Sequence, residues 1–445
     1  MNALRTFKKG GVHPGENKLS SGKPIEVLPL PAVVSIPLCQ HLGAPATPIV
    51  NRNDQVKAGQ IIGKSNGYIS ANIHASVSGK IVKIDEVIDQ TGYRRPSVII
   101  EVAGDEWIPA VDRTPTLVTA ITLNRNEIIA RIQEAGIVGM GGATFPTHVK
   151  LSIPRGKKAE ILIVNGVECE PYLTSDHRLM LEKGQEILVG IKIMMKALGV
   201  EKALIGIENN KPDAIEHLGQ LCLNDPSIQV MAVKVKYPQG GEKQLIKALI
   251  NREVPSGGLP IDVGTVVQNV GTAFAVYEAV QKNKPMIERV VTVTGKSVSK
   301  PSNYLVRIGT PVSHLIQHGG GLPEDTGKII SGGPMMGKAL NSTEVPVTKG
   351  TSGIVILPKD ESCRRPVQPC IRCTRCISVC PMGLEPYLLM ALMEHKMMEK
   401  IEQNRVLDCV ECGSCSYTCP AARPLLDYIR YGKAELTKII RSRKK

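Results

Sequence analysis

Two matching cysteine runs near the carboxyl end of the chain constrain its structure more than any other feature of the 445 residues. Both runs read C-x2-C-x2-C-x3-C-P, the first from Cys370 to Cys380 and the second from Cys409 to Cys419. Runs of this spacing hold 4Fe-4S cubanes: three thiolates bind one cluster, and the fourth cysteine of each run binds the other. The sequence therefore predicts two clusters, with the crossed ligand sets Cys370, Cys373, Cys376, Cys419 and Cys409, Cys412, Cys415, Cys380.

Other uses of closely spaced cysteines fit this pattern less well. Zinc ribbons use pairs of Cys-x2-Cys and call for neither a third nearby thiol nor a trailing Cys-Pro. Disulfide frameworks are typical of small secreted chains, and residues 1–9 lack the apolar core of a signal peptide. Two clusters that share crossed ligands must lie close together, so the runs predict a short electron path. We interpret the remaining cysteines as structural or inert thiols: Cys39, Cys169, Cys222 and Cys363.

Length and charge restrict the classes of partner. A chain of this length should contain about three domains or more. The formal charge is +14, and even after about −2 for each cubane the protein should be cationic. That charge favours acidic electron carriers or an anionic membrane face. Nucleic acid is disfavoured because the basic residues are spread along the chain and aromatic residues make up 3% of it.

The sequence contains no candidate membrane span. No run of 18 apolar residues exists, and the most apolar helical stretch, 187–200, is interrupted by Lys192 and Lys196. Iron–sulfur clusters and free thiols both favour the cytoplasm. We therefore expect a peripheral protein of the cytoplasmic side.

Residues 1–115 predict a β-rich module. The segments that begin at Val56 and Val77 read as short strands bounded by turns. The pair resembles the barrel-sandwich module of lipoyl and biotinyl carriers, but the intervening hairpin has no lysine at its tip. We therefore expect a barrel-sandwich hybrid domain without a swinging arm, in which His74 is a structural histidine.

Residues 116–285 predict an α/β domain. Asn124 can cap a helix that ends near Gly136, and strand-like and helix-like segments then alternate as far as residue 250. This alternation indicates a Rossmann-like parallel sheet covered by helices, with ligands at the carboxyl ends of its strands. The glycine-rich loop that begins at Gly139 fails the dinucleotide pattern because Thr144 takes its last position. By itself the loop fits a phosphate site or a simple tight turn.

The remaining chain predicts two smaller domains. Residues 286–357 are mostly strands with one helical piece at 312–318 and favour a small α+β domain. Residues 358–445 form the helical two-cluster domain, with a helical segment at 386–404 between the cysteine runs. The last helix, from Leu425, ends in a basic tail. That tail fits a solvated end or a contact with a membrane surface.

Four segments in the α/β region resemble, in the same order, the flavin domain of the NADH-binding flavoprotein subunit of respiratory complex I. They are Gly139-x-Gly-Gly-Ala-x-Phe-Pro-Thr-x-x-Lys150, Asn165-x-x-Glu168-x-Glu170-Pro171, Tyr237-x-x-Gly240-x-Glu242 and Thr265-Val-Val-Gln-Asn-Val-Gly-Thr272. The α+β module that follows resembles the soluble-ligand-binding β-grasp (SLBB) domain of that flavoprotein. Nearly the whole chain, including its Gly-Gly-Val-His-Pro-Gly-Glu-Asn-Lys start and its paired cysteine runs, resembles the RnfC family, the flavin- and cluster-bearing subunits of Rnf electron-transport complexes.

This resemblance implies a function and a set of cofactors. It implies a peripheral subunit of a membrane-bound, ion-translocating NADH:ferredoxin oxidoreductase with non-covalent FMN and two 4Fe-4S clusters. The protein would exchange hydride with NAD(H) through FMN and relay single electrons through the clusters. Its partners would be the membrane and iron–sulfur subunits of the same complex, with ferredoxin reached through them. Those partners would couple electron flow to Na+ or H+ transport at the cytoplasmic membrane.

The resemblance also assigns site residues. It places eight residues around FMN: Gly139, Gly141, Gly142, Asn165, Glu168, Tyr237, Gly240 and Asn269. Lys150 would face the FMN phosphate or the ring. Phe145, Glu170 and Glu242 would contact the nicotinamide nucleotide, with an ordinary ion pair as the alternative role for the two glutamates. Val167, Gly241 and Gln268 depart from the family motifs, so some contacts must differ.

Two other functions remain open at this stage. The chain fits a non-enzymatic electron-transfer scaffold in which only the clusters work. It also fits the flavin subunit of a soluble hydrogenase or formate dehydrogenase.

Overall fold

The structure is a computed structural model that describes residues 4–443. The first structural unit is built from two small antiparallel sheets. One sheet has the strand order β2-β8-β7-β4 and the other the order β3-β5-β6. The strands up to residue 104 are β1 (Ile25–Val27), β2 (Val33–Pro37), β3 (Thr47–Pro48), β4 (Gln55–Val56), β5 (Ile61–Lys64), β6 (Ile73–His74), β7 (Ser78–Ile88) and β8 (Arg94–Gly104).

His74 lies in the core of this unit. Its side chain is 7% exposed. Burial, and then the nearby charge of Lys349, lower its pKa to about 3. His74 is therefore neutral at physiological pH, as expected of a structural histidine.

The second unit is a four-stranded parallel sheet with helices on its faces. Its helices and strands are α1 (Arg125–Glu134), α2 (Thr147–Leu151), β9 (Ile161–Asn165), α3 (Ser175–Glu182), α4 (Gly184–Leu198), β10 (Ala203–Glu208), α5 (Pro212–Leu221), β11 (Ile228–Val233), α6 (Glu242–Ile250), β12 (Thr265–Asn269) and α7 (Val270–Gln281). The strand order is β11-β10-β9-β12, and every neighbouring pair is parallel. The predicted parallel α/β sheet is confirmed.

Local sequence explains the ends of the helices in this unit. Asn124 Oδ1 accepts from the N–H groups of Asn126 and Glu127, and Glu127 returns a bond to the Asn124 N–H, which forms a capping box at α1. The continuous helix expected near residues 176–198 is instead two helices, because Lys183 leaves the helical conformation between α3 and α4. Helix α4 then ends at Gly199 in the left-handed region.

The third unit is a six-stranded mixed sheet with one helix. Its elements are β13 (Glu288–Thr294), β14 (Ser302–Arg307), α8 (Val312–His318), β15 (Thr326–Ser331), β16 (Lys338–Ala339) and β17 (Gly353–Pro358). The sixth strand is β1, which pairs in parallel with β14. Upstream of β1, Arg5 and Val12 form bridges to Val233 and Tyr237 of the second unit. The first residues of the chain therefore pack against later units and lie outside the barrel sandwich.

The fourth unit is helical and carries both cysteine runs. Its helices are α9 (Lys359–Ser362), α10 (Arg375–Ser378), α11 (Pro386–Glu394), α12 (Met398–Gln403), α13 (Ser414–Thr418) and α14 (Leu425–Arg443). The helix expected at 386–404 is interrupted by Lys396, whose φ of 52° breaks it into α11 and α12. Leu389, Met393 and Ile401 form one buried cluster with residues of α14. Within residues 4–443, none of the helices combines the length and the apolar character that a bilayer crossing needs.

Candidate functional site

A cleft lies where the direction of the parallel sheet reverses. Strands β9, β10 and β11 follow one another outward on one side, and β12 returns to the other side of β9. The crevice at such a switch point is where open α/β sheets bind ligands. Asn165 and Asn269, the last residues of β9 and β12, are register partners and open onto this crevice. The cleft encloses about 620 Å³, part of it open to solvent.

The glycine-rich loop forms one wall of the cleft. The Gly139 N–H donates to the Phe145 carbonyl at 2.9 Å and closes the loop, while the Met140 N–H donates to Thr272 Oγ1 at 3.0 Å. A Cβ on Gly141 would lie 3.1 Å from the Cβ of Asn269, so glycine lets the two walls approach. Nine of the twelve residues expected to bind flavin or nucleotide line the cleft: Gly139, Gly141, Gly142, Phe145, Lys150, Asn165, Gly240, Glu242 and Asn269.

Polar side chains in the cleft are held by one another. Lys150 Nζ forms an ion pair with Glu242 at 2.7 Å and donates to the Val267 carbonyl at 3.1 Å. Asn165 Nδ2 donates to the Gly240 carbonyl at 2.8 Å. Glu242 thus makes the ion pair considered above as its alternative role. Because that pair leaves little net charge beside Lys150, the cleft suits an anion that other donors also hold.

Asn269 is oriented from behind the cleft by Asp176. Its Nδ2 donates to Asp176 Oδ2 at 2.7 Å, and its Oδ1 accepts from the Gly271 N–H at 2.8 Å. Burial, followed by the charge of Glu168, raises the pKa of Asp176 to about 7. Asp176 therefore fixes the amide orientation of a cleft residue. Sequence reasoning did not single it out.

The cleft fits a bound flavin because it contains an unpaired donor. Gln268 lines the cleft, its side chain is 3% exposed, and its Nε2 has no hydrogen-bond partner. A buried donor without a partner is costly, so such a group indicates a ligand that accepts from it. Gln268, noted above as a departure from the family motif, is thus available to a flavin oxygen or nitrogen.

Three of the expected site residues do not line the cleft. Glu168 accepts from the N–H groups of Asp176 and His177 at 2.8 and 3.2 Å, so its carboxylate caps helix α3. Glu170 accepts from the N–H groups of Met335 and Met336 at 3.1 and 2.9 Å. These bonds direct both carboxylates away from the cleft.

Tyr237 is the third of these residues, and it is turned toward Glu170. It is 2% exposed, and its hydroxyl lies 3.4 Å from Glu170 Oε1. Desolvation by burial raises the pKa of Glu170 to about 7.

Lys18 supports the loop that carries Glu168 and Glu170. Its Nζ donates to the carbonyls of Glu168, Glu170 and Leu173 at 2.8, 2.9 and 2.7 Å. Burial, and then the charge of Lys211, lower its pKa. Lys18 belongs to the amino-terminal motif quoted above. Its sequence position alone could not show that it holds a loop about 150 residues away.

The second predicted ligand set surrounds one cavity. Cys380 of the first run and Cys409, Cys412 and Cys415 of the second line it together with apolar residues. The N–H groups of Leu384 and Glu411 donate to the sulfurs of Cys380 and Cys409 at 3.3 and 3.4 Å. Bonds of this kind adjust the potential of a cluster. We call the site formed by these four cysteines the inner cluster site, and its shared cavity fits the crossed assignment.

Burial keeps the inner thiols protonated when no metal is bound. Desolvation is the main reason that the pKa of Cys409 rises to about 11 and that of Cys415 to about 12. Metal ligation requires thiolates, so cluster insertion would release these protons. A single ion needs ligand atoms within about 2.3 Å of its centre, and no group of three or more His, Cys, Asp or Glu in residues 4–443 could hold one.

The first predicted ligand set lies at the surface, and we call it the outer cluster site. Cys370 and Cys373 are exposed, whereas Cys376 and Cys419 are half-buried. Burial and then the nearby Cys419 raise the pKa of Cys376, which places these two cysteines of different runs near each other. Helices α10 and α13, one from each run, pack together between the two sites.

Two side chains separate the cleft from the inner cluster site. The N–H of Gly240, a cleft residue, donates to Cys169 Sγ at 3.3 Å. Cys169 packs in one apolar cluster with Tyr237, Val12 and the inner-site residue Cys412. The amino-terminal segment closes this region, since the Gly11 N–H donates to the Val379 carbonyl at 2.8 Å.

Fold and site together define an electron-transfer protein that combines a flavin domain with a pair of iron–sulfur clusters. Family models match in four segments: the RnfC barrel sandwich hybrid domain at 6–105, the Nuo51 FMN-binding domain at 132–278, the SLBB domain at 290–339 and a 4Fe-4S dicluster domain at 363–421. FMN and two 4Fe-4S clusters are therefore its cofactors, and the predicted multidomain fold class is confirmed.

Curated relatives match over nearly the whole chain. An RnfC-type subunit of the proton-translocating ferredoxin:NAD(+) oxidoreductase complex of Clostridium ljungdahlii is 49% identical over 97% of this chain and 94% of its own length. Its counterpart in the Na(+)-translocating complex of Acetobacterium woodii is 45% identical over 98% of each chain. An NAD+-reducing NiFe-hydrogenase structure is 19% identical with a TM-score of 0.49, over 71% of this chain and 63% of that one. The chain belongs to the RnfC family.

Proposed function

We propose that this chain is the subunit of an ion-translocating NAD–ferredoxin oxidoreductase that exchanges electrons with NAD(H). The observation that carries the proposal is the short separation of the flavin cleft from the inner cluster site. Gly240 belongs to the cleft, Cys412 belongs to the inner site, and only Cys169 and Tyr237 lie between them. A relay needs this proximity, whereas a flavin domain and a cluster domain with unrelated tasks do not.

Bound FMN supplies the chemistry that joins the two carriers, because a flavin accepts a hydride and gives up its electrons one at a time. The chain's own residues bind and orient. We assign the FMN contacts to the glycine loop, Lys150, Asn165, Gln268 and Asn269, and the nucleotide contacts to Phe145 and Glu242. Hydride transfer calls for no general acid or base, so we assign none.

The burial of the two cluster sites supports an order of electron transfer. Cys380, Cys412 and Cys415 are each 7–8% exposed and face the flavin unit, whereas Cys370 and Cys373 are exposed. The inner cluster would exchange electrons with the flavin, and the outer cluster would exchange them with the inner one. The outer cluster is then the terminal carrier of this chain.

The finer points of partner and location are part of the same proposal. The relatives are named as subunits of complexes that translocate protons or Na+ and react with ferredoxin and NAD+. We propose that this chain sits on the cytoplasmic side of the membrane and reaches ferredoxin through other subunits. The coupling ion would be moved by those partners.

We also propose the division of the chain at residues 115, 285 and 357. The four family matches, which end or begin on either side of those positions, support it. One exception is needed: Arg5, Val12 and β1 pair with the second and third units.

Anaerobic addition of NADH to FMN- and cluster-loaded protein tests the function. We expect the flavin absorbance to bleach and the reduced-cluster signal to appear in electron paramagnetic resonance spectra. No bleaching with both clusters intact would instead favour a relay that carries electrons between partners without reacting with NADH.

A further inference from the structure

The two cluster sites differ most in what surrounds them. The inner site is covered by the amino-terminal segment and by a loop of the third unit. Gly10 and Gly413 allow this cover: their φ angles are 71° and 77°, and a Cβ would lie 2.5 Å from the Cys380 backbone and 2.9 Å from the Met335 carbonyl oxygen, respectively. The outer site has no comparable cover, since Cys370 and Cys373 remain exposed.

The surface around the outer site is basic. Residues 362–384 contain four arginines and no acidic residue. These arginines are all exposed: Arg364, Arg365, Arg372 and Arg375. Arg364 pairs with Asp427 at 2.7 Å, but Arg372 and Arg375 have no ion-pair partner among residues 4–443. Because an oxidised cubane with four thiolates carries about −2, four arginines leave this surface cationic.

Apolar side chains share the same surface. Val367 and Ile371 lie between the arginines and are 55% and 68% exposed. Tyr417, two residues before the ligand Cys419, is 53% exposed. Apolar contacts with a charged rim are the usual make-up of a protein–protein interface. A bare basic patch would not need these three side chains.

We infer that this basic surface is a docking site for an acidic one-electron carrier, an iron–sulfur protein or domain that takes electrons from or gives electrons to the outer cluster. Charge complementarity selects the occupant, because opposite potentials steer an encounter and set its rate. An exposed terminal cluster also needs its partner within short reach. The inference rests on the proposed function, in which the outer cluster is the terminal carrier.

The test uses full-length protein loaded with FMN and both clusters. Stopped-flow mixing of NADH-reduced protein with an acidic two-cluster ferredoxin gives the second-order rate constant for electron transfer. In Arg372→Gln/Arg375→Gln we expect this constant to fall about tenfold at low ionic strength. The two proteins should converge at about 1 M salt, where the Debye length is about 3 Å. A basic cytochrome c as acceptor should show no such loss.

A matched variant controls for the loss of charge alone. Arg52→Gln/Lys64→Gln removes two exposed charges from the first unit, and neither residue forms an ion pair within the described chain. This control should transfer electrons to the ferredoxin at the wild-type rate. Iron and sulfide analysis must show full cluster content in both variants, so that a slow rate reports docking.

Three results would overturn the inference. The first is a rate constant that depends neither on salt nor on the two arginines. The second is an equal loss in both double variants. The third is Arg372→Gln/Arg375→Gln losing its binding to phosphatidylglycerol-containing vesicles while keeping its ferredoxin rate, which would make this a membrane-facing surface. Failure of NADH to bleach the flavin is a separate outcome and would count against the proposed function.

Discussion

The Gln268→Met substitution tests directly whether the cleft is built for flavin. Methionine keeps the length and approximate volume of glutamine but has no N–H. In the flavin-free protein the buried Nε2 of Gln268 has no acceptor, which costs about 1–3 kcal/mol. FMN binding would relieve that cost by offering an acceptor. The variant loses this gain, so its Kd for FMN should rise by about 5- to 150-fold, at about 1.4 kcal/mol for each factor of ten.

The same reasoning predicts an opposite effect on the flavin-free protein. Gln268→Met removes an unpaired donor from a buried position, so the flavin-free variant should melt at the wild-type temperature or above it. FMN should then raise its melting temperature less than it raises that of the wild type. Titration of FMN into cluster-loaded, flavin-depleted protein, followed by flavin fluorescence, gives the Kd. Thermal scans with and without FMN give the second measurement.

Gln239→Met is the matched control. Gln239 is 0% exposed and its Nε2 also lacks a partner, but it does not line the cleft, and its Oε1 accepts from Thr6 at 2.8 Å. This variant should lose stability because it leaves Thr6 unpaired, and it should bind FMN within about twofold of the wild type. Equal FMN affinity in Gln268→Met and the wild type would refute the reasoning, as would equal weakening in both variants.

Further substitutions test the clusters and the buried carboxylates. Cys415→Ala should leave about four irons per chain instead of about eight and stop NADH from reducing the outer cluster, whereas Cys373→Ala should leave the inner cluster reducible. Glu170→Ala should destabilise the fold by about 1–3 kcal/mol for each of the two N–H groups that it orphans, and Glu170→Gln by less, as thermal scans can show. The pKa values of Glu170, Asp176 and Glu208 rise to about 7, chiefly through burial. The folded state therefore binds more protons than the unfolded state, and stability should fall from about pH 4.5 to 7; a melting temperature that rises over this window would contradict the assignment, and Glu170→Gln should flatten the slope.

Much of this architecture follows from local sequence. The C-x2-C-x2-C-x3-C-P spacing names the cluster ligands without a structure, because cubane geometry requires closely spaced thiols. Alternating apolar and helical segments predict the parallel sheet, and strand β10 and helix α6 lie at the expected residues. Both signals are short-range, so one sequence suffices to detect them.

Side-chain direction within loops could not be predicted. The loop after β9 carries Asn165, Glu168 and Glu170 within six residues, but only Asn165 lines the cleft. Glu168 adopts a φ of 47°, which turns its carboxylate onto helix α3. Glu170 is drawn to two N–H groups of the third unit, about 165 residues away. Family motifs give the positions of such residues, but bonds to distant segments decide where their side chains point.

The cover over the inner cluster site links these long-range contacts to electron transfer. Glu170 anchors Met335 and Met336, Met335 lies against Gly413 between two inner ligands, and the Gly11 N–H holds the Val379 carbonyl on the other side. Excluding water lowers the local dielectric, so each added electron is felt more strongly by nearby charges and N–H donors. A sealed inner cluster therefore suits exchange with the flavin, whose partner never changes. An open outer cluster suits a carrier that must arrive, react and leave, and the chain leaves its basic residues where that carrier would land.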